Sequence, residues 1–596
     1  MSILLLSILS MLSAFMQYVR NDYSVLDSQY AVFKGEHTGA ADEQGVRPNA
    51  DLSMVAAFMG EDTMALKTLT YAVHTHKAVR KRCCLDGHYW GSVSVKDHQW
   101  ESSLWAMSVA YSAYFQWQQL SDTLKNDIYQ LLKAECNYEL ERDIPTGYIG
   151  DTKAEENGWE VDVLAATLGL FPDDPLAPRW FERMRAFAIN CYSHPSDAHD
   201  TTVIDPDYDA IRVCDLYKGP NLYPDWTLQN HNFFHTSYQN VVIQELGEAA
   251  LALRLFQGKN QRWSSRALLH NCDQVTRNVL NWLTLPDGEQ AMPNGNDWSL
   301  FLYDQVTSYA TMACLRRDRD ALYFEQQCLR RIAQRQQTTA DGSFLLRPDV
   351  GARRMGVQAH RLLMTELMHR LWPTDDLQPS SWSDFERRYQ GSKLFPCQQI
   401  VRTLTPSYFA CFSLSQGKRS YTGYIAPIHN GQTDNLVIPF RQYNTGNVIG
   451  YYLPKTGKTN ARLMGEPKID LDGDYFTVKA TLAENDSTMI RRFTLRSRKE
   501  GLEYSDEVRF LTKDSLKDYT GLLAISTDEF TGRSRHVDFL PGCTRIDRLL
   551  TIRTDSRLKG TWTKETIDNS IRSRRIAPYV AGSPKRRHHI IYQVEE

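Results

Sequence analysis

The feature that most restricts this chain is a change of hydrophobic period two-thirds of the way along it. From about residue 50 to 370, apolar residues recur at three- and four-residue spacing. They do so in Met64 to Val79, Leu104 to Leu120, Leu124 to Glu141, Val161 to Leu170, Val241 to Phe256, Ala267 to Leu283, Leu300 to Ala313 and Gln358 to Leu371. That period predicts stacked helical hairpins. After Pro396 the period falls to two over short runs: Tyr408 to Ser413, Arg419 to Ile425, Leu436 to Phe440, Val448 to Leu453, Tyr475 to Leu482, Met489 to Leu495, Gly501 to Phe510, Gly521 to Ser526, Arg548 to Ile552 and His589 to Val594. Many short alternating runs predict an antiparallel β-sandwich domain. The expected fold class is therefore α+β and multidomain, with a helical-hairpin domain over residues 20–395 and the β-sandwich over 396–596.

Composition narrows the partners. Lys plus Arg (68) nearly balance Asp plus Glu (71) over 596 residues, so charge recommends neither nucleic acid nor a membrane surface. The one basic run, Pro584 to His589, reads as a solvated turn. Thirteen Trp and 30 Tyr offer flat apolar faces with a polar edge, which suit sugar rings. Residues 1–19, with the apolar run Ile3 to Phe15, read as an export signal that lacks a leading Lys or Arg. The run is too short to span a bilayer and no later window rivals it, so a periplasmic or extracellular protein without a membrane span is expected. Eleven Cys without a C-x-x-C pair predict no disulfide framework or zinc finger. No cofactor is expected, and a structural divalent cation is left open.

Long joins at 142–159, 191–229 and 284–299 interrupt the helical pattern, and joins of that length in a compact domain are commonly functional. The stretch Asp225 to Asn240 is the densest in proton chemistry. If a helix begins near Asn230, then His231, His235 and Tyr238 stand at i, i+4 and i+7 on one face. The bland alternative is a set of hydrogen-bonded, inert residues at a helix start. A helix-borne metal site competes through the two histidines, but Asn232 occupies the place of the Glu in H-E-x-x-H. Earlier, Tyr148, Glu155, Glu156, Asn157, Trp159 and Glu160 crowd another helix start, where the carboxylates alone would be ordinary dipole partners. Asn157 adds a neutral donor able to meet a substrate carboxylate. Asn296, Asp297, Trp298 and Tyr303 repeat this vocabulary, as do Trp100 with Glu101 and Arg47 with Asn49; turn and N-cap roles are the plain alternative. Arg47, Arg353 and Arg354 are candidate carboxylate clamps.

These residue types match what β-elimination from a uronic acid needs. The C5 proton becomes acidic when the neighbouring carboxylate is neutralised, a base then removes it, and an acid serves the oxygen leaving C4. In glucuronic acid the C5 hydrogen and O4 share a side of the ring, so one phenol can make both transfers. Such a phenol must be lowered from its ordinary ~10 toward neutrality, by a nearby His or Arg.

At these residues the chain resembles the α/α-toroid polysaccharide lyases. In the hyaluronate and chondroitin lyase branch, Asp, Gln-His and Tyr open a helix and an Asn comes from an earlier loop; Asp225, His231, Tyr238 and Asn157 occupy the matching places. Gly45 to Asp51, Trp100 to Trp105, Asp151 to Trp159, Leu228 to Asn240 and Met292 to Leu302 resemble more closely the L-rhamnose-α-1,4-D-glucuronate lyases. That family implies an (α/α)6 toroid with a deep pocket, a tyrosine base and an acidic plant glycan, arabinogalactan, as substrate. Tyr238 is the first candidate for the base, with Tyr303 and Tyr148 behind it; His231 is its tuner, His235 is a further catalytic candidate, and Asn157 with an Arg is the clamp. The remaining candidates, Arg47, Asn49, Trp100, Glu101, Tyr148, Glu156, Trp159, Asn230, Asn296, Asp297, Trp298, Tyr303, Arg353 and Arg354, line the substrate. Two other readings stay open: a glycoside hydrolase using Glu101 or Glu160 with Asp297, and a non-catalytic glycan-binding protein.

Overall fold

A computed structural model describes residues 3–259, 261–296, 298, 302–344, 351–415, 421–433, 447–454, 460–512, 516–520, 525–526, 536–554, 558–567, 571–580 and 587–595. The chain forms two compact units. The first comprises Met1–Leu228, Tyr238–Thr276 and Tyr303–Pro379; the second comprises Gln229–Ser237, Arg277–Leu302 and Ser380–Glu596.

The helices are α1 (Ile3–Asp22), α2 (Glu43–Phe58), α3 (Asp62–His74), α4 (Ser102–Gln116), α5 (Asp122–Glu141), α6 (Ala154–Leu170), α7 (Ala177–Cys191), α8 (Val213–Leu216), α9 (Thr236–Gln257), α10 (Cys272–Asn278), α11 (Val306–Arg316), α12 (Arg319–Gln336), α13 (Gly351–Leu371) and α14 (Trp382–Tyr389). Local signals start several of them. Asp42 caps α2 through Gly45 N, Ser121 caps α5 through Leu124 N, and Asp318 caps α12 through Asp320 N and Ala321 N. The period separates two kinds of helix. In α5 and α12 one face is apolar and buried while the other carries charge, as for helices with a solvent side. In α2, α4 and α6 nearly every residue is buried, and α2 packs between α4 and α13 while α4 packs on α6.

Glycine permits the tightest approaches to α9. A Cβ on Gly158 of α6 would lie 2.2 Å from Glu245 Oε2, and one on Gly247 would lie 2.0 Å from Thr311 Oγ1 of α11. The hydroxyl of Tyr111 on α4 donates to the Glu248 carbonyl at 3.1 Å. Acidic side chains of α9 are thereby held inside the helical unit.

The N-terminal run expected to be an export signal folds here as α1, against α12 and α13. Ile8, Met11, Leu12, Phe15, Met16 and Val19 are buried, Phe15 stacks on Phe344 with centroids 4.7 Å apart, and Gln336 Nε2 donates to the Met11 carbonyl at 2.9 Å.

The second unit is antiparallel β. A five-stranded sheet runs in chain order through Gly391–Phe395, Ile400–Leu404, Tyr408–Ser413, Gly423–His429 and Gln432–Thr433. It meets a nine-stranded sheet centred on Tyr475–Glu484, Met489–Arg498, Gly501–Phe510 and Arg587–Val594. Phe412 and Phe493 join the two sheets at 5.7 Å, and Tyr408 donates to the Gly501 carbonyl at 3.2 Å. The unit begins before the expected 395/396 boundary, because Gly391–Phe395 pairs along its length with Ile400–Leu404. Arg402 fastens this start, donating to the carbonyls of Trp282 and Gly391 at 2.6 Å and of Tyr389 at 2.8 Å. The expected strand Leu436 to Phe440 lies outside the described residues.

Phe15→Ala removes a buried ring from the α1 contact and is expected to cost about 3–5 kcal/mol, read as a lower midpoint of chemical denaturation. An unchanged midpoint would mean that α1 contributes nothing to the folded unit.

Candidate functional site

Charge gathers in the helical unit where α2, α4 and α13 begin. Arg353 donates through Nε to Glu43 Oε1 at 2.8 Å and reaches it through Nη2 at 2.6 Å; Arg47 Nη1 donates to the same oxygen at 3.1 Å. Arg47 also lies 3.7 Å from Asp51 and 3.8 Å from Glu101. The side chains of Glu43, Arg47, Glu101 and Arg353 are 28, 19, 19 and 24 % exposed, so solvent reaches this cluster. Deeper along α2, His360 of α13 lies between Asp51 at 3.3 Å and Glu248 at 2.8 Å, and Ser108 donates to Asp51 at 2.7 Å.

The electrostatics follow from these contacts. Burial, and then the charge of Glu43, push the Glu101 carboxyl up to about 7 against the pull of Arg47. Burial also opposes ionisation of Glu43, but Arg353 and Arg47 outweigh it and hold that carboxyl below its usual range. Burial alone would lower His360, yet Glu248 and Asp51 bring it up to about 9. Glu101 also occupies a left-handed backbone conformation, φ 63°, at the N-cap of α4, without a capping bond from its side chain. A non-glycine residue in that region is strained, a feature that clusters at functional sites.

Beside Glu101 stands an aromatic pair. Trp100 is 52 % exposed and meets Trp159 of α6 edge to face at 5.3 Å. Glu156 receives Lys153 Nζ at 2.6 Å and lies 4.0 Å from Arg142, while Glu160 receives Arg142 at 2.8 Å. Asn157 is fully buried. Its amide nitrogen faces the carbonyls of Pro145, Lys153 and Asn190 at 3.0, 2.8 and 3.2 Å, which ties the 142–159 loop to α6 and α7. Its Oδ1 has no partner among the described residues. Tyr148 packs edge to face on Tyr223 at 4.6 Å. Asn49 has both amide ends engaged, accepting from Phe33 N and donating to the Gly45 carbonyl, and so joins α2 to the strand before it. Tyr303 lies under Arg335, with the guanidinium 5.4 Å from the ring centre.

The expected helix from Asn230 does not form. Gln229–Asn230 and Phe233–Phe234 pair as a minimal hairpin whose two turn residues, His231 and Asn232, have φ of 53° and 68°. Positive φ at both central positions is the mark of the tight turn whose twist suits a hairpin, and Asn tolerates it better than His. The histidines therefore do not share a helix face. His231 is half-buried at a strained turn tip, and His235 is buried just before α9. Their rings still meet edge to face at 5.6 Å, and His235 stacks on Phe233 at 4.7 Å with Trp298 at 6.4 Å. Asn296 donates to Ser237 and accepts from Trp298 N at 3.1 Å, and Asn230 is buried in the first strand. These residues belong to the β unit, whereas Tyr238, half-buried in the first turn of α9, belongs to the helical unit. The helical spacing behind the metal reading is absent, and no group of three His, Cys, Asp or Glu among the described residues is arranged to hold a metal ion. Asp297 lies outside the described residues.

Sequence reasoning missed Glu43, Asp51, Glu248 and His360. Glu248 and His360 sit inside helical patterns far along the chain from their partners, and no local spacing marks them. The Glu43, Arg47, Asp51 series at i, i+4, i+8 on one helix is the signal that was there to use.

No protein-family profile and no curated protein matches the chain. Among solved structures it is similar to the chondroitin AC lyase of Streptomyces coelicolor A3 in complex with chondroitin sulphate, with TM-score 0.57 and 12 % identity, covering 99 % of this chain and 79 % of that one. A tyrosine-to-alanine mutant of the same enzyme gives TM-score 0.53 at 12 % identity over 98 % and 79 %. The likeness establishes a shared fold, mostly helical and then antiparallel β, across nearly the whole chain.

Two pH windows follow. Glu101, raised in the fold, holds its proton more tightly folded than unfolded. Its contribution is therefore complete below the unfolded carboxyl range and is lost as pH rises through about 7. His360 contributes fully below the ordinary imidazole range and loses that contribution as pH rises through about 9. Glu101→Gln is expected to flatten the thermal midpoint between about pH 5 and 7, and His360→Gln between about 7 and 9. Midpoint profiles that keep the wild-type slopes would refute these pairings.

Proposed function

We propose that this protein is a polysaccharide lyase acting on an acidic, uronate-containing glycan. The observation that carries the reading is the full-length likeness in fold to a chondroitin AC lyase. It is supported by an exposed tryptophan platform beside a solvent-reached cluster of arginines and carboxyls. The proposed architecture is an (α/α)6 toroid, with α2, α4 and α6 among its inner helices, followed by a β-sandwich. In the proposed reaction the substrate carboxylate is neutralised by donors of the site, Asn157 and an Arg being the candidates. Tyr238 takes the C5 proton; the C5–H electrons form the C4=C5 bond, and the C4–O4 bond breaks toward oxygen. The same phenol returns the proton to O4.

The finer proposal is exo-cleavage of terminal L-rhamnose-α-1,4-D-glucuronate in arabinogalactan side chains, leaving a 4,5-unsaturated uronate. It rests on the motif resemblance through Gly45 to Asp51, Trp100 to Trp105, Asp151 to Trp159, Leu228 to Asn240 and Met292 to Leu302. Hydrolysis on the same scaffold is the second reading, favoured by Glu101, whose carboxyl near 7 suits a general acid. Export is proposed from the Ile3 to Phe15 run, which also packs as α1. N-terminal sequencing of the natural protein distinguishes a cleaved leader from a retained helix.

Incubation with a rhamnose-capped acidic arabinogalactan is expected to raise ultraviolet absorbance as the conjugated enoate forms, and Tyr238→Phe is expected to lower that rate by about 10²-fold or more. Rhamnose release without absorbance would replace the lyase by a hydrolase, and full activity in Tyr238→Phe would move the base to another residue.

A further inference from the structure

One charged side chain inside the helical unit has no ionic partner. Arg361, two turns into α13, is 6 % exposed, and no carboxylate among the described residues lies within ion-pair distance of it. Its one hydrogen bond runs from Nη1 to the Asp304 carbonyl at 3.5 Å, and its buried Nε has no acceptor among the described residues. The neighbouring carboxylate is committed elsewhere: Asp304 receives Arg335 at both oxygens, at 2.7 and 3.2 Å. Gln358 stands one turn earlier on the same face. It accepts from Arg335 at 3.1 Å, and its amide nitrogen has no acceptor among the described residues. Arg354, a further turn toward the start of α13, completes the i, i+4, i+7 stripe.

A buried guanidinium that has neither a counter-ion nor a full set of acceptors, such as the three carbonyls that hold Arg402, is strongly unfavourable, and an arriving anion would complete it. The surrounding charges relieve it only in part: burial, with Arg47 adding to it, draws Arg361 down to about 10 against the pull of Asp304, Glu248 and Asp51, and burial with Arg353 and Arg361 draws Arg354 down to about 9. Arg47 and Arg353, the expected clamps, are already engaged by Glu43, Asp51 and Glu101. The Asp304 and Arg353 side chains remain 17 and 24 % exposed.

We infer that Arg361 and Gln358, with Arg354 at the outer end, form an anion subsite that receives a carboxylate or sulfate of a bound glycan. The planar guanidinium supplies two parallel donors to the anion's oxygens, and the amide of Gln358 supplies a third. The inference rests on the lyase reading only for what molecule carries the anion.

The test uses the full chain, without turnover, in thermal-shift and calorimetric titrations with D-glucuronate, inorganic sulfate and uncharged glucose. Glucuronate or sulfate is expected to raise the midpoint while glucose does not. The stronger of the two anions assigns the subsite to uronate or to sulfated sugar. Arg361→Met is expected to weaken that binding about tenfold or more and to raise the ligand-free midpoint, because it removes an uncompensated charge. Arg361→Lys restores part of the response. The subsite is refuted if neither anion shifts the midpoint, if the response survives in Arg361→Met, or if that variant lowers the ligand-free midpoint. A positive anion response without enoate formation from the polysaccharide would remove the lyase reading and leave the subsite standing.

Discussion

The helical unit is organised around the pairing of buried charge. Ionised groups leave water at a cost of several kcal/mol each, and the cost is offset only where partners and hydrogen bonds replace the lost hydration. Along α2 and α13 this is done in sequence. Glu43 gathers Arg47 and Arg353, Asp51 gathers His360 and Ser108, and His360 passes on to Glu248 of α9. The chain of contacts fixes four helices, α2, α4, α9 and α13, against each other with polar side chains, where an ordinary bundle would use leucine. Such a core is less forgiving than an apolar one, because removal of one member strands the next.

The same pairing divides the candidates by what they are free to do. Arg47, Arg353 and Asn49 are largely consumed by the fold, and the amide nitrogen of Asn157 holds the loop that carries it. Glu101 is held differently, on strained backbone between a carboxylate and a guanidinium, near the pH at which it changes charge. Asp162, fully buried on α6 with neither oxygen partnered among the described residues, is pushed well above the carboxylate range by burial and by Glu248 and Glu245, so it is a neutral acid in the core. The proposed proton-moving site and the proposed anion subsite thus draw on the helical unit with different residues for each.

Much of the fold was legible because it is periodic. Tyr408–Ser413 forms as expected to the residue, as does Gly501–Phe510, and Leu124 to Glu141 is extended only by a capped first turn at Asp122. The misses have physical causes. The α2 pattern is hidden because most of the helix is buried while Glu43, Arg47 and Asp51 along it are charged, so no separate apolar face stands out. Around His231 the polar run before Val241 favours a helix start by composition. The chain instead makes a hairpin there, held within the β unit by Gln229 to Gln398 at 2.8 Å and by Phe234 stacked on Phe395. Those contacts are some 160 residues away in sequence, beyond any local signal. Arg361 was invisible for the opposite reason: an arginine on a helix reads as surface unless its surroundings are seen.

The proposed elimination is separated from hydrolysis by the form of the uronate product and the source of the oxygen at its C4. Digestion of the acidic glycan in water enriched in oxygen-18, followed by mass spectrometry of the released fragments, is the direct measurement. Elimination predicts a uronate fragment lighter than the hydrolysis product by one water, with no heavy oxygen at its C4. One heavy oxygen in either fragment, with no unsaturated uronate, would contradict it.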